Sequence, residues 1–522
     1  MPAAIQSIDY TAILPVLIVA GGALALLVAD LFLDDVDRPL LSWATAVILV
    51  GALVAQTVLW TQRTAQPRQT FCLPGPGSER LGLCSYSVDN LSLTLQTLAL
   101  GATLLVVLMA PRKFDVPFGE YHFLLLSSLT GALVLVAARD FVSVTVALET
   151  LSLPAFALVG FGRRRGGEGG EAALKFFLMS VASTAVMLFG ISLVYGTTGS
   201  VYFAGIQRTM SATGFHAPVF AVAAVLTLVG FGFKISAVPF HFWTPEVYAG
   251  APVPVAAYLS VVSKAAGFAG LILTVEIAFR TYLPSVATLI AVLAAITMSV
   301  GNVIALRQRS VVRLLAWSTV AQAGYVLVPL AVTSWDGAQY ATNAVVSANQ
   351  LGPAVAASVA YLVLYGVMNL GAFAVVSALS GLSGSGGELA RYRGLYRDNP
   401  HAALPLAFFL LCLAGLPPGV MGLFAKVAVF KAAVSGNLVW LAAIMAVNVV
   451  VALYYYLRWA ALLFSGPETV SAATDTASSP VAAAVRPVAL PLAPRVAVVI
   501  ALVLAVVFSF WPNPALDALT LH

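Results

Sequence analysis

The chain contains 522 residues, of which 61% are hydrophobic and only 9% are charged. Soluble domains carry about 25% charged residues, so this composition excludes a soluble globular protein and indicates a polytopic membrane protein. The formal charge of +5 does not indicate a nucleic-acid partner, because the basic residues are dispersed over short loops, where they act as topology signals.

Fourteen apolar stretches are long enough to cross a bilayer, which takes about 20 residues each. The sequence therefore predicts an all-α polytopic membrane protein with about fourteen transmembrane helices. Numbered in chain order, predicted helices 1 to 14 cover residues 11–33, 40–60, 90–110, 121–138, 140–161, 171–195, 218–239, 253–276, 283–306, 311–332, 355–381, 402–434, 438–464 and 490–511.

The distribution of basic residues predicts the orientation in the membrane. With the amino terminus outside, fifteen of the 26 lysines and arginines lie in loops on the cytoplasmic side and six lie in outer loops. Cytoplasmic loops carry the excess of basic residues, so we expect both termini on the outer side. No lysine or arginine precedes Arg38, so the first stretch lacks the basic start of a signal peptide and is interpreted as the first helix.

Two of the three cysteines, Cys72 and Cys84, lie in a loop that we expect on the outer side. On that oxidising side they form a disulfide that closes the loop, or they remain two free thiols. Iron–sulfur clusters need about four thiolates. The sequence also contains no dinucleotide fingerprint and no flavin motif, so we expect no redox cofactor and no metal site in this chain.

Predicted helix 5 carries Glu149 at its middle, shortly before the helix-bending Pro154. A carboxylate at the centre of a bilayer either pairs with a buried cation or takes up a proton. The alternative is a structural ion pair that only fixes how the helices pack.

Five lysines lie within the predicted helices, whereas every arginine lies in a loop or near a helix end. Arginine keeps its charge, but a desolvated lysine can release its proton near neutral pH. This division favours proton transfer through the lysines, which are Lys175, Lys234, Lys264, Lys426 and Lys431. For Lys175 and Lys431, which lie near helix ends, the alternative is that their side chains only reach towards the membrane surface.

The region between predicted helices 7 and 8 must be a break in the helical structure, because it holds Pro239, Pro245, Pro252 and Pro254. Broken backbone at membrane depth is tolerated only where it is buried in protein or lines a wet cavity. We therefore predict an ion pathway here. His241 and Glu246 lie in the break, where they relay protons or simply bond to the loosened backbone.

Predicted helix 10 places neutral polar residues in apolar sequence, namely Ser318, Gln322 and Tyr325. Such side chains hold water or link helices to one another. Tyr325 is therefore a further candidate for a relay.

Predicted helix 12 repeats the pattern of helix 7, because Gly415, Pro417, Pro418 and Gly419 interrupt it and Lys426 follows. Interrupted helices at corresponding positions of two halves indicate inverted repeats around a midplane site. The spacing of five helices gives repeats of helices 4–8 and 9–13. The predicted divisions are 1–115 (helices 1–3), 116–280 (first repeat), 281–465 (second repeat), 466–489 (a flexible loop rich in Ala, Ser, Thr and Pro) and 490–522 (helix 14 and tail).

Three segments, matching in order, resemble the antiporter-like membrane subunits of respiratory complex I, the NADH:quinone oxidoreductase. They are KFFLMSVASTAVMLFGISLVYGTTGS, KISAVPFHFWTPEVYAGAPVPVAAYLSVVSKAAGFA and NVIALRQRSVVRLLAWSTVAQAGYVL. The resemblance covers roughly residues 90 to 465 and is greatest to the subunit N branch. In the subunit M branch the position of Lys426 is typically glutamate, and the subunit L branch continues into a long lateral helix that is not found here.

The resemblance implies a role for each charged position. Glu149 matches the glutamate that modulates the proton affinity of the helix 7 lysine, which is Lys234. Lys264 matches the residue that links two half-channels, and Lys426 matches the residue of the exit half.

The resemblance further implies a proton-translocating subunit that is coupled to electron transfer in its partners. FMN, iron–sulfur clusters, NADH and quinone would belong to the assembled complex and not to this chain. The implied neighbours are the antiporter-like subunit M and the small subunit K, in the plasma (inner) membrane of a bacterium.

Three alternatives remain open at this point. A subunit of an Mrp-type cation/proton antiporter would share the buried charges, although a sodium site should show oxygen ligands at the broken helices, and lysines occur there instead. The second alternative is a pump subunit of a related membrane-bound hydrogenase or dehydrogenase, which the sequence barely separates from a complex I subunit. A scaffold with architectural charges is the third alternative. The sequence does not determine the quinone type, the proton stoichiometry or whether protons leave through this subunit.

Overall fold

The computed structural model describes residues 8–34, 40–63, 66–73, 83–110, 118–162, 168–213, 218–332, 352–380, 386–466 and 491–517. In these residues thirteen helices are long and apolar enough to cross a membrane, and a broken helix completes the predicted fourteen. The unbroken helices are 1 (Tyr10–Asp30), 2 (Leu40–Thr61), 3 (Asn90–Met109), 4 (Phe118–Leu135), 5 (Phe141–Gly160), 6 (Glu168–Thr198), 8 (Val253–Ala278), 9 (Leu283–Ala305), 10 (Val311–Leu330), 11 (Pro353–Ser380), 13 (Val439–Phe464) and 14 (Leu492–Phe510).

Helices 7 and 12 are interrupted, as predicted. Their halves are 7a (Pro218–Ile235), 7b (Trp243–Gly250), 12a (Pro400–Ala414) and 12b (Met421–Ser435). Ser236 follows helix 7a and Gly415 follows helix 12a, and both residues have a positive φ, a conformation that commonly terminates helices. Ser236 is stabilised in this unusual conformation for a non-glycine residue by accepting a hydrogen bond from Thr244 Oγ1 at 2.6 Å.

The two breaks identify two repeats of opposite orientation, helices 4–8 and helices 9–13. The fourth helix of each repeat is the broken one. Because each repeat has an odd number of helices, the second starts from the opposite side of the membrane. The breaks therefore approach the middle of the fold from opposite sides.

Helix 8 is the central helix of the protein, and its membrane-spanning part is buried throughout. It contains two π-helical turns, Leu259–Ser263 and Thr274–Ala278. The first turn ends next to Lys264. Turns of this kind inside α-helices occur frequently at functional sites.

A β-hairpin that the sequence did not lead us to predict covers one end of the fold. Strand β1 (Arg68–Cys72) pairs antiparallel with β2 (Cys84–Val88). The amide of Ser87 donates to the carbonyl of Ala137 at 2.9 Å, which attaches the hairpin to the turn between helices 4 and 5. The buried ion pair of Arg139 with Asp89, the N-cap of helix 3, strengthens this attachment.

Cys72 and Cys84 face each other in the hairpin and are joined by a disulfide. We expect peptide mapping of the unreduced protein to recover this linkage, because the hairpin lies on the side predicted to be oxidising. Replacing both cysteines with serine should lower the free energy of unfolding by about 2–4 kcal/mol, measured as a fall in melting temperature.

Cys412 supplies the control for this experiment. It is buried and not disulfide-bonded, so it should react with an alkylating reagent only after unfolding. Alkylation of Cys72 and Cys84 in the native, unreduced protein would contradict the expectation.

Candidate functional site

Three of the five lysines that the sequence singled out are almost completely buried. The exposed fractions are 2% for Lys234, 2% for Lys264 and 6% for Lys426. None of the ion pairs among the described residues involves these three side chains. Hydroxyl and carbonyl oxygens, and not carboxylates, accept the hydrogen bonds of these three ammonium groups.

Lys234 lies in the last turn of helix 7a, where the helix dipole favours a cation. Its Nζ donates to Ser152 Oγ on helix 5 at 2.7 Å. Glu149 lies one turn before Ser152 on the same helix, and its carboxylate accepts from Thr184 Oγ1 of helix 6 at 3.0 Å. Ser152, which holds the lysine that the resemblance pairs with Glu149, thus lies one helical turn from that acid. The sequence analysis missed Ser152 although it lies at the helical spacing i+3 from Glu149.

Gly267 on helix 8 provides the space for the Lys234 side chain. A Cβ at this glycine would lie 3.0 Å from Lys234 Cγ, which is closer than ordinary packing allows. Gly267 lies one turn from Lys264 on the same helix. Lys234 therefore packs against helix 8 one turn from the second lysine.

Lys264 is held by backbone carbonyl groups. Its Nζ donates to the carbonyl of Ile235 at 3.2 Å and to that of Thr319, on helix 10, at 3.3 Å. Ile235 is the last residue of helix 7a, so its carbonyl has no partner within the helix. The break thus provides an oxygen ligand for the lysine.

Lys426 repeats this arrangement in the second half of the chain. Its Nζ donates to the carbonyls of Leu413 and Ala414, at 2.9 and 2.6 Å, and these are the last two residues of helix 12a. Gly415 follows at φ +82° and its position would bring a Cβ to 3.2 Å from Lys426 Nζ. Both the backbone conformation and the lysine therefore require glycine here.

A small cavity lies beside Lys264, between helices 8, 10 and 11. Its volume is about 10 Å³, and Lys264 lines it with the polar side chains of Ser260, Thr319, Gln322 and Tyr365 and with apolar side chains of the same three helices. This volume is close to the minimum that holds one water molecule. Tyr365 donates to Thr319 Oγ1 at 2.9 Å, so the wall of the cavity is itself hydrogen-bonded.

Beyond this cavity a network of neutral polar residues connects helices 9, 10, 11 and 13. Tyr361 donates to Gln322, whose Nε2 donates to Tyr456 at 3.4 Å. In the same network Asn302 donates to Tyr325 at 3.1 Å and accepts from Tyr455 at 3.0 Å. The sequence identified Gln322 and Tyr325, whereas the partners on helices 9, 11 and 13 were missed. Those missed partners are Asn302, Tyr361, Asn448, Tyr455 and Tyr456.

The remaining candidates lie outside the buried row. Lys175 pairs with Glu171 at 2.6 Å, and Glu246 pairs with Arg313 at 3.1 Å, in both cases with side chains that are about half exposed. Lys431 is exposed as well. His241 is buried in the break between helices 7a and 7b, where its ring lies 5.3 Å from that of Trp317.

Glu276 is a buried carboxylate that the sequence analysis did not anticipate. Glu276 lies in the second π-helical turn of helix 8 and is only 5% exposed. The sequence signal was present, because an acid within an apolar stretch four residues before Arg280 is a candidate for burial. Its position near the end of helix 8 separates it from the row of lysines.

Comparisons with known proteins show which sequences and folds this chain resembles. A family model described as NADH:quinone oxidoreductase/Mrp antiporter, TM, matches residues 138–452. A Streptomyces griseus protein named NADH-quinone oxidoreductase subunit N 2 is 50% identical over 492 residues, which cover 92% of this chain and 88% of the relative.

Two solved structures have a similar fold. A chain of respiratory complex I from Thermus thermophilus with bound aureothin superposes with a TM-score of 0.74 at 31% identity, covering 97% of this chain and 99% of that chain. A chain of the Mrp complex from Dietzia sp. DQ12-45-1b gives a TM-score of 0.78 at 19% identity, covering 97% and 96% of the two chains. At 19% identity the likeness shows the fold alone.

Proposed function

This chain belongs to the NADH:quinone oxidoreductase/Mrp antiporter family of membrane subunits, and from that premise we propose how its buried side chains move protons. Within the family it is of the subunit N type, an antiporter-like, proton-translocating membrane subunit of NADH:quinone oxidoreductase.

The proposed pathway runs from Glu149 through Lys234 and Lys264 to Lys426. The observation that supports it is the way in which all three lysines are held, by hydroxyl or carbonyl oxygens and not by carboxylates. A buried ammonium without a counterion is costly. Each lysine can therefore exist with or without its proton, which is the property that a relay requires.

Proton movement starts with the interaction between Glu149 and Lys234. The carboxylate stabilises the nearby ammonium, so any change in a partner that draws Glu149 away promotes release of the proton towards Lys264. From Lys264 the proton continues by way of the small cavity and the hydroxyl groups of Tyr365 and Thr319. Hydroxyl groups both donate and accept hydrogen bonds, so the network beyond the cavity is suited to carry the proton towards Lys426.

The energy for this transfer comes from outside the chain. Moving one charge against about 100 mV costs about 2.3 kcal/mol. We propose that FMN, iron–sulfur clusters, NADH and quinone bind to partner subunits and that subunits M and K are the neighbours in the membrane. We also propose that both termini lie on the outer side of a bacterial plasma membrane, in agreement with the excess of arginine in the loops on the opposite side.

The identity of the co-purifying subunits tests this assignment. We expect an affinity tag on this chain to recover, from gently solubilised membranes, a complex that oxidises NADH and shows flavin and iron–sulfur absorbance. An unrelated tagged membrane protein from the same cells controls for non-specific recovery. Recovery with other antiporter subunits alone would support an Mrp-type antiporter, whose fold is similar.

A further inference from the structure

A large groove opens on the surface of the protein between three of its membrane helices. Helix 12a, the end of helix 13 and the beginning of helix 14 form its walls, and its volume is about 1220 Å³. Pockets for drug-sized ligands are usually about 300–1,000 Å³, so this groove accommodates a larger molecule. Its walls are mainly apolar, with Leu404, Phe408, Leu411, Leu457, Val499 and Leu502 among the lining residues.

The polar residues of the groove are all at one end. His401 is at the start of helix 12a, and Arg495 is in the first turn of helix 14. From His401 to Leu411 helix 12a rises about 15 Å, which is half of the hydrocarbon thickness of about 30 Å. The groove thus extends from a basic end at the membrane surface to the middle of the bilayer. This depth equals the thickness of the hydrocarbon part of one leaflet.

The deep end of the groove lies beside the break in helix 12. Leu411 and Pro418 line it, on either side of the Leu413 and Ala414 carbonyls that hold Lys426. Interrupted backbone at this depth has to be shielded from the lipid phase or solvated. An occupant of the groove therefore lies against the break in helix 12.

We propose that the groove binds an anionic phospholipid, with the phosphate at Arg495 and His401 and an acyl chain against helix 12a. The positive charge at the surface end complements a phosphate, and the apolar walls complement a chain of half-bilayer length. Arginine is well suited to phosphate because its planar fork donates two hydrogen bonds. The bound lipid closes the lateral side of the helix 12 break.

Photo-crosslinking in the reconstituted complex tests this proposal without requiring turnover. The probe is phosphatidylglycerol with a diazirine near the end of one acyl chain, and the readout is the labelling of peptides that contain Phe408, Leu411 and Leu502. We expect Arg495→Gln to reduce the labelling about fivefold, corresponding to about 1 kcal/mol per basic residue near the surface. Val499→Trp, which fills the groove, should remove most of it.

Arg458→Gln is the matched control, because Arg458 is exposed on helix 13 and is not among the residues that line the groove. Its labelling should equal that of the wild type. Equal labelling by the phosphatidylcholine analogue, or no loss in both Arg495→Gln and Val499→Trp, would overturn the proposal. A second result would also overturn the proposal. In that case the lipid probe does not label the groove, and a photoreactive residue at position 499 cross-links to subunit M, which shows that a protein fills the groove.

Discussion

Lys264→Ala is expected to reduce proton translocation per NADH oxidised about tenfold or more, equivalent to at least about 1.4 kcal/mol. The reason is that Lys264 connects the break of helix 7 to helix 10 through the carbonyls of Ile235 and Thr319. The small cavity beside it has four neutral polar side chains in its wall, together with apolar ones. Without the lysine no titratable amine lies between Lys234 and Lys426 in the described row. The measurement is dye-monitored proton uptake by proteoliposomes that contain the complete complex.

Two variants separate this role from a structural one. Lys264→Arg keeps a cation for the two carbonyls, so the complex should assemble, but arginine does not release its proton and translocation should remain low. Lys431→Ala removes an exposed lysine of helix 12b and should translocate as the wild type does. Assembled Lys264→Ala complex with normal translocation would support the architectural alternative instead.

Glu149→Gln is expected to produce the second large loss, again about tenfold in translocation. The amide retains the ability to accept from Thr184, so the packing of helices 5 and 6 should persist. What disappears is the negative charge one turn from Ser152, the residue that holds Lys234. NADH oxidation by the assembled complex, measured together with proton uptake, reports whether the two processes are still coupled.

Glu171→Gln serves as the control for this variant, because Glu171 forms a largely exposed pair with Lys175. Exposed pairs contribute about 0–1 kcal/mol, so we expect wild-type coupling. Glu149→Asp, which retains the charge on a shorter side chain, should recover part of the translocation. Full coupling in assembled Glu149→Gln protein would show that this acid has no part in proton transfer.

The sequence was a good guide to everything that depends on apolar length and on proline. The fourteen helices, the breaks in helices 7 and 12 and the burial of Lys234, Lys264 and Lys426 follow from patterns within single segments. The resemblance to a known family added the order of the charged residues.

What was missed depends on contacts between distant segments. The oxygen ligands of Lys264 and Lys426 are backbone carbonyls, and every residue has one, so no side chain indicates them. Tyr455 and Asn302 join one network only because helices 9 and 13 pack together. The hairpin was missed because RQTFC and CSYSV are short and lie in a loop rich in proline and glycine.

Helices 7a and 12a each end inside the membrane at carbonyl groups that accept hydrogen bonds from a lysine amine. A hydrogen bond weakens steeply as its alignment is lost. A slight tilt of either half-helix, imposed by a neighbouring protein at the membrane surface, would then loosen or tighten the hydrogen bonds that hold Lys264 or Lys426. Each half-helix would in this way transmit a displacement at the membrane surface to the lysine at its inner end.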